Sequence, residues 1–170
     1  MTGDLSCVLP LHRIPPAGAS VTIQATPAEL AALAERLDLP AIAALEGRFQ
    51  LHPAPGGIVA ATLTLTAEVT AVSVVSLEPF PRTVRETAAL RFVPAGEEEQ
   101  DDLIDPESPD DIPYSGTGLA LGEAVAEQLA LALDPYPRKP GETLSVPSAG
   151  PEPDHAFAAL ARLQRGQKKS

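Results

Sequence analysis

The chain has little with which to do chemistry. Among 170 residues it carries one cysteine, Cys7, and no tryptophan, and its aromatic fraction is 4%. A single cysteine excludes a disulfide within the chain, which fits a reducing compartment. Few aromatics mean a core of Leu, Val, Ile and Ala, each burying modest area at roughly 25 cal/mol per Å². No apolar run approaches the ~18 residues of a membrane span. The N-terminus, Met1-Thr-Gly-Asp-Leu-Ser-Cys, lacks a basic stretch followed by an apolar one, so no secretory signal is expected. These absences predict a cytoplasmic, soluble protein of one domain with tails.

Catalytic signatures are equally scarce. There is no Gly-x-Ser-x-Gly elbow. Gly116-Thr117-Gly118 lacks the Gly-Lys-Ser/Thr that completes a phosphate loop, and reads as a turn before a helix. His12, His52 and His155 share no metal-ligand spacing and read as surface histidines. Cys7 has no adjacent base and reads as a small apolar residue. No cofactor, metal or small-molecule substrate is predicted.

Acid is what the chain does have. The net charge is −11, and it is concentrated. Glu97, Glu98, Glu99, Asp101, Asp102, Asp105, Glu107, Asp110 and Asp111 lie in one stretch without a base. The remainder, 14 acids against 12 bases, is near neutral. The stretch lacks the ligand order and glycine of a calcium-binding loop, so solvated charge is the simpler reading. Residues 94–118 are expected to form an acidic, Pro/Gly-rich loop. This charge balance argues against a broad phosphate-binding face, though not against a local one. Arg48, Arg85 and Arg91 are expected on the wet face of the sheet, either balancing the acidic segment or making a small basic patch. Arg162, Arg165, Lys168 and Lys169 give the end of the chain a basic tail.

Hydrophobic patterning predicts an α+β domain: a twisted antiparallel β-sheet with two to three helices packed on it. Cys7–His12 reads as a short strand, and Val21, Ile23 and Ala25 as the buried side of another. Thr26 with Pro27 and Glu29 is a capping box with proline at the first helical position. Leu30, Leu33, Ala34 and Leu37 supply that helix's stripe. Phe49 and Leu51 mark a strand that turns at Pro55-Gly56-Gly57 into a long one. There Val59, Ala61, Leu63, Leu65, Ala67 and Val69 share a face. The parity of Val72 and Val74 predicts a bulge or bend near Ala71. Glu78-Pro79-Phe80-Pro81 reads as a turn before a strand over Val84–Phe92. Leu119–Leu133 reads as a second helix. A Pro-rich linker over 139–153 and a short helix with a basic tail over 154–170 follow the domain assigned to 1–138.

Several strings, in order, resemble the YceD-like family of large ribosomal RNA subunit accumulation proteins. They are Val74-Val-Ser-Leu-Glu-Pro79, Leu119–Glu127, Leu129-Ala-Leu-Ala-Leu-Asp-Pro-Tyr-Pro-Arg138, Pro140-Gly141 and Phe157-Ala-Ala-Leu-Ala161. The chain is most like the form found in alphaproteobacteria. Family members often hold Cys-x-x-Cys where this chain has Ser73 and Ser76, just before Glu78 and Pro79. Serine hydroxyls stay protonated at neutral pH and do not replace thiolates on zinc.

The resemblance implies a role in 23S ribosomal RNA accumulation and large-subunit biogenesis, without a defined reaction. The expected partner is a basic ribosomal protein or large-subunit assembly factor, held through Glu97, Glu98, Glu99, Asp101, Asp102, Asp110 and Asp111. Arg85, Arg91, Arg165 and Lys168 are the candidate contacts to 23S rRNA. The alternatives are a general acidic protein-interaction module, or an enzyme using carboxylates from Glu97–Asp111 or Glu123 and Glu127.

Overall fold

The architecture comes from a computed structural model, which describes residues 5–96 and 108–143. The chain divides into two units, Met1–Pro140 and Gly141–Ser170. The first is described here; only residues 141–143 of the second lie among the described residues. The expected helix over 154–163 and the basic tail lie outside them.

The elements run β1 (Val8–Pro10), β2 (Ala19–Gln24), α1 (Pro27–Arg36), β3 (Ala41–Pro53), β4 (Val59–Val72), β5 (Pro79–Pro94), β6 (Asp110–Tyr114), β7 (Gly118–Ala120) and α2 (Leu121–Ala132). Five strands form one sheet in the order β2-β3-β4-β5-β6, and β1 pairs with β7 in a small second one. The large sheet is antiparallel except for β6, which runs parallel to β5. The fold is therefore mixed α+β with a mostly antiparallel sheet and, among the described residues, two helices.

Alternation sets the two faces of the sheet. On β4, Val59, Ala61, Leu63, Leu65, Ala67 and Val69 are buried. Cross-strand register places Leu63 beside Phe49 and Ala88, and Leu65 beside Gly47 and Glu86. The other face is exposed and rich in hydroxyls, with Thr62, Thr64 and Thr66 in its centre. This is a half-buried sheet with one wet face.

Two helices cover the apolar side. The Thr26 capping box forms: Glu29 N donates to Thr26 Oγ1 at 3.4 Å, and Thr26 N to Glu29 Oε2 at 2.8 Å. Leu33 and Ala34 of α1 are buried. In α2, Leu121, Val125 and Leu129 are inaccessible, each contributing about 2 kcal/mol by leaving water. α2 has no side-chain cap. Instead Gly122 N donates to the Cys7 carbonyl at 3.0 Å, so backbone ahead of β1 satisfies one of the helix's open amides.

Five expectations need correction. The first strand is shorter than Cys7–His12, because Leu11–Arg13 coil into a 3-10 turn. Leu119 belongs to β7, so the second helix starts at Leu121. There is no parity change at Ala71: Ala71 and Ser73 stay buried while Val72 and Val74 are exposed. The even valines face outward, and the irregularity lies in β3, between Ile42 and Ala44. Glu78–Pro81 is not the turn either. β5 starts at Pro79, because the chain has already reversed over residues 74–76.

The far end of the expected 94–118 loop is a strand instead. Asp110 and Asp111 belong to β6. Residues 97–107, with Glu97, Glu98, Glu99, Asp101 and Asp102, lie outside the described residues.

Candidate functional site

The reversal between β4 and β5 is organised by one hydroxyl. Ser73 is fully buried, and its Oγ accepts from Val75 N at 3.1 Å and from Ser76 N at 3.4 Å. Its amide donates to the Glu78 carbonyl and its carbonyl accepts from Leu77 N, both at 2.9 Å. A side chain that hydrogen-bonds amides two and three residues on is the usual way serine closes a turn. Ser76 is exposed, so the two serines are not equivalent.

The turn projects apolar groups into water. Leu77 is 76% exposed and has φ 61°. That backbone region is unfavourable for a side chain with a Cβ, by roughly 1–2 kcal/mol. Val72 and Val74 are also exposed.

The segment after α2 lies against this turn. Pro135 stops the helix pattern, and Pro137 offers its carbonyl to Val74 N at 2.9 Å. Two ion pairs fasten the corner, Arg82 to Asp134 at 3.2 Å and Lys139 to Glu78 at 2.6 Å. Asp134 also accepts from Tyr136 N at 2.9 Å. That amide, with Arg82 and Arg138 adding to it, holds the Asp134 carboxyl below the usual range. Tyr136 itself is 71% exposed. Beside the corner runs a groove of about 390 Å³, whose lining includes Leu39, Val72, Leu133, Pro135 and Pro137. The result is an apolar surface with a rim of paired charges, the composition of a contact face.

A model of the family described as "Large ribosomal RNA subunit accumulation protein YceD" matches residues 61–164. The chain belongs to the YceD family. The match spans β4 through α2 and so contains the whole corner. No curated protein and no solved structure matches the chain. Membership gives this YceD protein its role in the accumulation of large-subunit ribosomal RNA.

The other sequence-selected residues spread across the sheet. Arg48, Arg85 and Arg91 share its exposed face, but not one cluster. Arg85 stands opposite Thr66, which stands opposite Glu46, while Arg91 stands at the row of Ala60 and His52. Arg91 binds Asp111 through two bonds of 2.7 and 2.8 Å. Those bonds hold the Asp111 carboxyl below its ordinary range. Arg48 binds Glu46 at 3.1 Å. Glu123 binds Arg36 at 2.6 Å, which lowers its carboxyl likewise. Arg165 and Lys168 lie outside the described residues, as does His155; His12 and His52 are exposed.

Among the described residues, no group of three or more His, Cys, Asp or Glu is placed to hold a metal ion. Cys7 is partly buried, and burial together with the nearby Glu29 charge raises its thiol pKa. No helix among the described residues is long and apolar enough to cross a membrane.

The sequence reading found Ser73, Ser76, Glu78 and Pro79 through the family pattern, but it did not find Leu77, Arg82 or Lys139. Leu77 looks like an ordinary core leucine in the string. Its exposure follows from the turn that Ser73 closes. Arg82 and Lys139 carry no local signal, because their partners are 52 and 61 residues away.

Proposed function

We propose that this protein promotes 23S ribosomal RNA accumulation without catalysis, by holding a basic ribosomal protein or large-subunit assembly factor in the cytoplasm. The apolar corner formed by Leu77, Val74 and Tyr136 supplies the contact. The acidic segment with Glu97, Glu98, Glu99, Asp101 and Asp102, continued on β6 by Asp110 beside the Arg91-paired Asp111, gives a basic partner a second, electrostatic contact away from the corner.

The observation that carries this reading is Leu77. Leu77 is strained by about 1–2 kcal/mol on its left-handed backbone, and with the exposed Val72, Val74 and Tyr136 of the same corner it makes an apolar patch rather than a lone exposed leucine. Its presence fits a surface completed by another molecule. Protein contact is favoured over direct RNA contact by the pairing of Arg91 with Asp111 and of Arg48 with Glu46. A phosphate would have to displace a carboxylate at both.

The test is capture from a lysate by the wild type, by Leu77→Asp/Tyr136→Asp, and by a variant with Glu97, Glu98, Glu99, Asp101 and Asp102 neutralised. Bound large-subunit proteins should fall in both variants, and wild-type capture should weaken with salt. Capture of 23S RNA alone, lost on charge reversal at Arg85 and Arg91, would favour the direct RNA reading instead.

A further inference from the structure

Among the described residues, β3 outruns its neighbour β2 at one end of the large sheet. β2 pairs with β3 only as far as Gln24 opposite Glu46. The next link is Ala25 N to the Leu45 carbonyl at 3.1 Å, after which the chain departs into α1. β3 begins at Ala41. Along Ala41–Ala44, β4 lies on one side, and among the described residues no strand pairs on the other. An unpaired strand edge displays backbone donors and acceptors in a row, ready for another chain.

Natural sheets usually blunt such an edge with lysine or an inward charge. Here the residues are Ala41, Ile42, Ala43 and Ala44, and all three alanines are exposed. Ala43 is the bulged residue, without a partner on β4. Small side chains leave the backbone accessible. Two grooves of about 570 and 530 Å³ flank this stretch, and both are lined by Pro27, Leu30 and Ala43. Together they form a trough between α1 and the open edge.

The trough's charged lining is acidic. Glu46 and Glu68 line one groove and Glu35 lines the other. Glu46 is engaged by Gln24 and Arg48. Glu35 and Glu68 are exposed. Arg48 is the base that meets Glu46, and Arg85 stands one strand beyond Thr66.

We propose that the Ala41–Leu45 edge binds an extended basic peptide by strand addition. Backbone pairing to β3 supplies affinity. The two-residue period sends one set of side chains toward Pro27, Leu30 and Glu35 of α1 and the other toward Glu68 on the exposed face. Nucleic acid is excluded by the same carboxylates. The edge segment and α1 lie outside residues 61–164, which match the family, while Glu68 lies within them; the site does not include Leu77 or Tyr136, though its groove meets the one beside the corner at Leu39 and Pro40. It rests on the reading of the protein as a holder of basic protein partners, and it adds where such a partner's extended segment lies.

The probe is a synthetic ten-residue peptide of alternating valine and lysine, titrated into the full chain with amide hydrogen exchange as the readout. The expected result is saturable binding with slowed exchange at residues 41–45. Glu35→Lys/Glu68→Lys should weaken binding about tenfold at low salt, and a peptide with proline in place of every valine, stripped of ladder donors, should not bind. The Leu77→Asp/Tyr136→Asp variant should bind the peptide normally, so failure at the corner and failure at the edge are told apart. Absence of binding, equal binding of the proline-substituted peptide, protection only elsewhere, or protection of 41–45 by a second copy of the chain would each overturn the proposal.

Discussion

Gly47 lies directly under Val125. A Cβ at Gly47 would stand 2.5 Å from Val125 Cγ2 and 3.3 Å from Cγ1. Both residues are buried, and the glycine lets α2 sit flat on the sheet at β3. The seating matters beyond stability, because α2 runs straight into Asp134 and the segment that faces the Ser73 turn. Gly47→Ala should cost about 1–3 kcal/mol by overpacking, and Gly47→Ala with Val125→Ala should recover part of that loss. Denaturant melts of the three proteins check this.

Gly122 makes a second close approach of the same kind. Its missing Cβ would lie 1.8 Å from the Leu5 carbonyl oxygen, a backbone atom that cannot swing away. Gly122→Ala should therefore be more damaging than Gly47→Ala, because it would push the 5–8 segment off the helix start and break the Gly122 N to Cys7 O bond. Comparing the two variants' melting temperatures ranks them.

Ser73 is a turn-closing hydroxyl, and its buried Oγ serves two amides. Ser73→Ala should cost about 1–2 kcal/mol by leaving those amides short of a partner, whereas Ser76→Ala at an exposed site should change stability by less than about 0.5 kcal/mol. Elemental analysis of the purified protein should give no stoichiometric zinc; one zinc per chain would contradict the assignment of Ser73 and Ser76 as non-ligands.

The carboxyl groups of Glu29, Asp111 and Glu123 all titrate below their ordinary values. A carboxyl with a lowered folded pKa stabilises fully above its unfolded value, about 3.9 for Asp and 4.3 for Glu. That contribution is lost as pH falls through the lower folded value. Stability should be nearly flat from pH 7 to pH 5 with respect to these groups, and should decline below about pH 4. The Arg91–Asp111 and Arg36–Glu123 pairs are partly exposed, so each is worth about 0.5 kcal/mol. Thermal melts of Arg91→Met/Arg36→Met should show a shallower acid decline than wild type.

Much of this fold was legible in the chain because its signals are local. The Thr26–Pro27–Glu29 box specifies a helix start within four residues. The alternation of Val59 through Val69 specifies a strand and its buried face. What escaped prediction depends on distant partners. Asp110 and Asp111 read as loop acids until Arg91 and the backbone of β5 turn them into a parallel edge strand. Val72 and Val74 read as core residues by type, but the buried position falls to Ser73, whose hydroxyl the turn needs. The family strings drew attention to this corner, while the exposure of Leu77 and the Arg82–Asp134 and Lys139–Glu78 pairs belong to tertiary structure.

Leu77→Gly puts the functional claim to its most direct trial. Glycine accepts the left-handed backbone at residue 77, so the fold should keep its stability or gain up to about 1 kcal/mol. The decisive quantity is the amount of large-subunit ribosomal RNA in cells whose only copy of the protein carries this change. The account predicts a stable, normally abundant protein with lowered ribosomal RNA. Unchanged ribosomal RNA at normal protein abundance would contradict it.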